Sequence, residues 1–253
     1  MQMLEFFKGI KQSKVKLGSF DINIPVFYRD MTNINVYLLA SLDKIITLLP
    51  SKRMHPFRVT PWHGIVSVSA YEYRDSDIGS YNEVSIGIPF ILDNVSPVFM
   101  GILRRPPEVP MIYILDLPVT TEIARVTGVE GANFPKFLAE ISFENGSQWI
   151  TCTVEADGKN ILTLSGHKID LKHSYRERVY PITLYQNRLL RLEFNLSECE
   201  AGFSKKQSDV RLEFGNHPVG LKLRELNLGR VIAYQYCPIR QAVLSEICES
   251  YPI

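Results

Sequence analysis

The chain has 253 residues with 45% hydrophobic content, enough for a sizeable core, and reads as a single domain over 1–253. Its 28 Lys and Arg stand against 27 Asp and Glu, so there is no electrostatic surplus for nucleic acid or an acidic membrane surface. No apolar run approaches the length of a membrane span, and the four cysteines (Cys152, Cys199, Cys237, Cys248) form no CxxC pair, which predicts reduced thiols in a cytoplasmic protein.

The opening "MQMLEFFKGIKQSKVKL" has an apolar patch too short for a signal sequence and broken by Lys8. The Asn-x-Ser triplets at Asn94, Asn145 and Asn195 therefore carry no weight as glycosylation sites. "SLDKIITLLP" (41–50) predicts a helix, with Ser41 as N-cap, Leu42, Ile45, Ile46 and Leu49 on one stripe, and Pro50 as a stop. "IVSVSAYEY" (65–73) alternates, placing Val66, Val68 and Ala70 on one face and Ser67, Ser69, Tyr71 and Tyr73 on the other. After the polar turn "RDSDIG", "YNEVSIGIPFIL" (81–92) alternates again, and the two runs are expected to pair as a hairpin. The Pro-rich "RRPPEVP" (104–110) reads as a rigid loop within the domain.

From Lys136 onward, "FLAEISF", "SQWITCTVEA" and "NILTLSG" are separated by Asn145-Gly146 and Asp157-Gly158. These dipeptides favour the positive φ of tight hairpins, so a three-stranded meander is expected to begin at the lysine. Further strands are expected at 179–185, 188–196, 210–214 and 230–236, and a second helix at "HPVGLKLRELNLG" (217–229) between Pro218 and Gly229. Many short antiparallel strands with few helices predict a mainly β (α+β) fold, a barrel or sandwich with peripheral helices.

The chain carries no Gly-rich phosphate loop, no GxSxG elbow and no HExxH, and its five histidines lack metal-ligand spacing, so no metal site is expected. What stands out is Lys136 in "ANFPKFLAEI", among Phe134, Phe137 and Leu138. An ordinary lysine, with a pKa of about 10.4, is protonated and cannot attack a carbonyl. Apolar walls penalise the charge, and an amine kept neutral can form a Schiff base with a ketone. The alternative is a snorkelling side chain with its ammonium in water.

Two separated motifs favour the first reading. "YRDSDIGSYNEVSIGIP" and "ARVTGVEGANFPKFLAEI", in that order, resemble the two signatures of the acetoacetate decarboxylase family, and the segments beginning "PVFYRDMTNINVY" and "FGNHPVGLKLREL" resemble its ends. The resemblance implies an antiparallel, cone-like β-barrel core. It also implies a homo-oligomeric, cofactor-independent enzyme acting on a small keto acid, with no nucleic-acid or membrane partner. Carried over by motif, Lys136 is the imine-forming lysine and Glu83 the acidic residue of the tyrosine-glutamate segment. Tyr81, Arg125 and Phe137 are carried over to the substrate pocket, and Arg29 as a counterpart of the arginine that meets the substrate carboxylate.

This chain departs from the decarboxylases in two places. Phe137 stands where they have a second lysine after the first, and Val68 stands where a second acid is expected, the nearest carboxylate being Glu72. Arg104 and Arg105 are further candidates to hold a carboxylate. The expected activity is therefore decarboxylation of acetoacetate or a related 3-oxo acid through a Lys136 imine. Aldol or dehydration chemistry on a larger keto acid is the alternative within the family, and a non-catalytic ligand-binding barrel the alternative outside it.

Overall fold

The structure, a computed structural model, describes residues 5–93 and 111–253; the loop at 104–110, with Arg104 and Arg105, and Asn94 lie outside the described residues. In chain order the strands are β1 (Ser13–Leu17), β2 (Phe20–Ile24), β3 (Val26–Ser41), β4 (Met54–Pro56), β5 (Arg58–Thr60), β6 (His63–Ser76), β7 (Tyr81–Leu92), β8 (Met111–Val119), β9 (Lys136–Leu138) and β10 (Glu140–Asn145). They continue with β11 (Trp149–Ala156), β12 (Lys159–His167), β13 (His173–Tyr185), β14 (Arg188–Arg191), β15 (Phe194–Ser204), β16 (Val210–Phe214), β17 (Val231–Leu244) and β18 (Glu249–Pro252). Helices α1 (Leu42–Leu48), α2 (Glu122–Ala132) and α3 (Pro218–Glu225) interrupt them, and none is long and apolar enough to cross a membrane.

The large sheet runs β13-β15-β17-β3-β6-β7-β8, and a parallel pairing of β13 with β8, from Tyr180↔Met111 to Ile182↔Tyr113, closes these strands on themselves. The result is a mainly antiparallel barrel, and the fold is mainly β with few helices, as the resemblance implied. Period-2 alternation then sorts the side chains of β3, β6 and β7. Ile34, Val36, Val66, Val68, Val84 and Ile86 point outward and are fully buried against the four-stranded sheet β10-β11-β12-β16, which contributes Ile150, Cys152, Val154, Leu162 and Leu164. Each such aliphatic side chain is worth about 1.5–3 kcal/mol on burial. The intervening residues, Asn35, Tyr37, Ser67, Ser69, Tyr71, Glu83 and Ser85, face the barrel interior.

The hairpin expected over 65–92 is present, with Tyr73↔Tyr81 closing its turn end. Asp157 and Gly158 both adopt positive φ in the two-residue turn from β11 to β12, whereas Asn145 remains paired with Ile150 and opens a wider loop. The meander does not begin at the lysine. β9 pairs in parallel with β8 of the barrel, and the chain crosses at Ala139 to start the small sheet at Glu140. The expected strand at 188–196 is two strands, β14 and β15, in different pairings. Ser41 precedes α1 without a side-chain cap, while His217 caps α3 by accepting from the Val219 amide at 3.2 Å.

Candidate active site

Lys136 is placed by two short-range devices. Asn133 ends α2 in the left-handed conformation, with its amide on the Val129 carbonyl at 3.0 Å, and the Phe134 amide returns to the Gly128 carbonyl at 3.1 Å. This is a helix-terminating turn that satisfies the last carbonyls of the helix. Pro135 then leads into β9, where Lys136 lies opposite Leu117 of β8. The lysine stem passes beneath α2 against Gly128, at a place where a Cβ would stand 2.5 Å from Cδ and 2.6 Å from Cε. Gly128 is thus the gap through which the side chain reaches the barrel interior.

Glu83 comes from β7, opposite Val119, so it and Lys136 flank β8 from its two sides. Their side chains meet, Nζ to Oε2 at 2.8 Å, with only 5% and 10% of each side chain exposed. Nζ also lies 5.7 Å from the Tyr81 ring centre and 5.9 Å from that of Phe134. The Tyr73 hydroxyl donates to the other Glu83 oxygen at 3.4 Å, and Tyr28 and Tyr81 hydroxyls are 3.3 Å apart. The Tyr73 ring packs at a tilt against those of Tyr28 and Tyr81, with centres 4.4 and 4.6 Å apart. Burial, reinforced by the Glu83 charge, pushes the ionisation of all three phenols up from its ordinary value, so they stay protonated.

The pair opens into a cavity of about 70 Å³ inside the barrel. Its apolar walls include Ile114, Leu117, Phe134, Val179 and Phe194. A second acid, Glu177 of β13, lines it as well. Glu177 pairs with the fully buried Arg240 of β17 at 3.1 Å, and burial raises its ionisation above the ordinary carboxylate range against the opposing pull of the guanidinium. Among the described residues, no three His, Cys, Asp or Glu side chains converge as a metal set.

Lys136, Glu83 and Tyr81 are thus brought together, and the other sequence-derived candidates are not. Strand alternation sends Phe137 to the opposite face from Lys136, where it packs against the inter-sheet core with its ring 6.2 Å from that of His217. It does not wall the amine, and neither does Leu138, which is exposed; of the three expected walls, Phe134 alone lines the cavity. Arg29 points outward to Asp77 and to Asp75, and Arg125 lies on the outer face of α2 with its Nε 2.7 Å from Glu122. Val68 is in the outer core, and Glu72 pairs with Arg74 at 3.0 Å outside the barrel. Glu177 and Arg240 escaped the sequence reading because no local motif contains them, and Tyr28 and Asn35 were passed over although they lie in the quoted segment that supplied Arg29. Barrel closure assembles them.

Solved structures share this fold. An acetoacetate decarboxylase from Legionella pneumophila subsp. pneumophila str. Philadelphia 1 superposes with a TM-score of 0.65 at 12% identity, covering 90% of this chain and 88% of that one. The enduracididine biosynthesis enzyme MppR, complexed with the condensation product of pyruvate and imidazole 4-carboxaldehyde, gives 0.58 at 12% identity over 87% and 86%. An acetoacetate decarboxylase-like enzyme from Sphingomonas wittichii RW1 gives 0.57 at 13% identity over 90% and 92%. At such identities the likeness is one of fold. No curated protein sequence matches the chain. The family model described as acetoacetate decarboxylase, however, matches residues 17–185, more than half of the chain and inclusive of both Glu83 and Lys136, and the chain belongs to the acetoacetate decarboxylase family.

Proposed function

We propose that the protein is a Schiff-base-forming decarboxylase of a small 3-oxo acid, with Lys136 as the nucleophile. The observation that carries this reading is the contact of Lys136 Nζ with Glu83 at 2.8 Å on the wall of the barrel cavity. Attack on a ketone requires the amine, and Glu83 is positioned to take the ammonium proton. The nitrogen then bonds to the carbonyl carbon. Glu83 returns the proton to the carbinolamine hydroxyl, which leaves as water, and the nitrogen lone pair completes a cationic imine. The bond to the carboxylate breaks, its electron pair flows toward the imine to form an enamine, and CO2 departs. A solvent-derived proton adds at carbon, and water hydrolyses the new imine to free the ketone and Lys136.

The apolar walls favour this step. Decarboxylation turns a carboxylate and an iminium into neutral CO2 and a neutral enamine, so a site of low polarity destabilises the charged reactant more than the products. That acetoacetate decarboxylases activate a lysine by desolvation or a neighbouring cation is established chemistry of the family. Here position 137 does not face the cavity, so the neighbouring cation is not supplied from there.

One observation favours a second reading, addition of the enamine to an aldehyde. Glu177 lines the same cavity, a second carboxyl group through which the new alkoxide could gain its proton. Carbon-13 NMR of labelled acetoacetate separates the possibilities. Labelled CO2 and acetone, lost with Lys136→Ala, support decarboxylation. Turnover only when an aldehyde is added supports aldol chemistry, and binding without turnover defeats both.

A further inference from the structure

Past the Lys136–Glu83 pair the cavity continues along the interior faces of β17, β3, β6 and β7. Strand register sets Gln235, Asn35, Ser69 and Ser85 side by side in one row across these strands. Ser85 lies two residues beyond Glu83 on β7, about 7 Å along the strand, with Ser69 and Asn35 one and two strands further across. Asn35, Ser69 and Ser85 all line the cavity.

Asn35 is 4% exposed and donates its Nδ2 to Gln235 Oε1 at 2.8 Å. Its Oδ1 and the neighbouring Gln235 Nε2 are both buried with no hydrogen-bond partner among the described residues. A buried acceptor left unmade costs about 1–3 kcal/mol, which an occupant bearing an N–H or O–H recovers. A primary amide or a hydroxyl both donates and accepts and can meet the two atoms together, whereas a carboxylate only accepts and would leave Oδ1 unmet. The volume is several times the roughly 10–15 Å³ that one water requires, so a ligand has room beyond the reacting carbonyl.

We infer that this row is a recognition subsite for an uncharged hydrogen-bond donor, a primary amide or a hydroxyl, carried beyond the carbonyl that Lys136 engages. The inference rests on the reading of Lys136 as the imine-forming amine. It makes the substrate larger than acetoacetate and polar but uncharged at its far end.

Three ketones of similar length test it: levulinamide, levulinate and butyl methyl ketone, each incubated with borohydride at subsaturating concentration, with labelling of Lys136 followed by peptide mass. Levulinamide is expected to label about tenfold faster than the other two, the worth of roughly one recovered hydrogen bond. In Asn35→Ala, and separately in Ser69→Ala, that ratio falls toward parity, with folding checked by circular dichroism. Equal labelling by all three, a preference for levulinate, or a levulinamide preference untouched by both substitutions leaves Lys136 as nucleophile and overturns the subsite. No labelling by any ketone overturns the imine reading and the subsite with it.

Discussion

Gly128 and Lys136 share one space. A methyl group at position 128 would stand 2.5 Å from the lysine Cδ and 2.6 Å from Cε, so a glycine within α2 makes the passage for the side chain of Lys136, eight residues further on. Gly128→Ala sets two terms against each other. Alanine is the better helix former by about 1 kcal/mol, and overpacking costs about 1–3 kcal/mol. Net stability is therefore expected to change by no more than about 2 kcal/mol, while the displaced amine loses its geometry and imine formation falls about 100-fold. Urea unfolding alongside borohydride-trapping rates checks this; equal trapping in the variant contradicts it.

Lys136 and Glu83 are each other's counterion with little solvent, and removing either strands a buried charge. Lys136→Met and Glu83→Gln are each expected to destabilise by about 3–5 kcal/mol, and the double variant by clearly less than their sum. A double-mutant cycle from denaturant unfolding measures the coupling. Additive losses would mean that the pair does not interact.

The tyrosines give the protein an alkaline limit. Tyr28, Tyr71, Tyr73, Tyr81 and Tyr234 all have ionisations raised first by burial. A group whose folded value lies above its unfolded one adds stability that is complete below the unfolded value, about 10 for a phenol, and is lost as pH rises toward the folded one. Phenolate absorbance from these five should therefore appear together with loss of circular dichroism, in one steep step above about pH 10. Smooth ionisation of all 12 tyrosines in a folded protein contradicts the buried placement.

Restoring the second lysine should not help the chemistry. Phe137→Lys puts an ammonium where an aromatic side chain packs beside His217 and the inter-sheet core. The expected result is a loss of about 3 kcal/mol or more with no gain in trapping rate. Faster trapping in this variant would mean that position 137 reaches the amine.

Much of this site was legible because 65–73 and 81–92 alternate cleanly. Valines and isoleucines mark the core face, so serines, tyrosines and Glu83 are left for the interior. Adjacency in sequence misled at Phe137, since neighbours on a strand face opposite ways. Helix α2 gave little signal, for Val126, Thr127, Gly128 and Gly131 are poor helix formers and Thr121 makes no side-chain cap. Glu177 and Arg240 lie 63 residues apart and meet through strand order alone. Arg29 and Arg125 are committed to ion pairs with Asp77 and Glu122 away from the cavity, which a motif match cannot distinguish from pocket residues.

The most direct test of Lys136 as nucleophile is intact-mass spectrometry after incubation with acetoacetate and borohydride, with peptide mapping and Lys136→Ala as control. One isopropyl-sized adduct, the reduced imine left after CO2 departs, is expected on Lys136 and absent from the variant. An adduct on another lysine, or none with acetoacetate and a range of α-keto and β-keto acids, would contradict it.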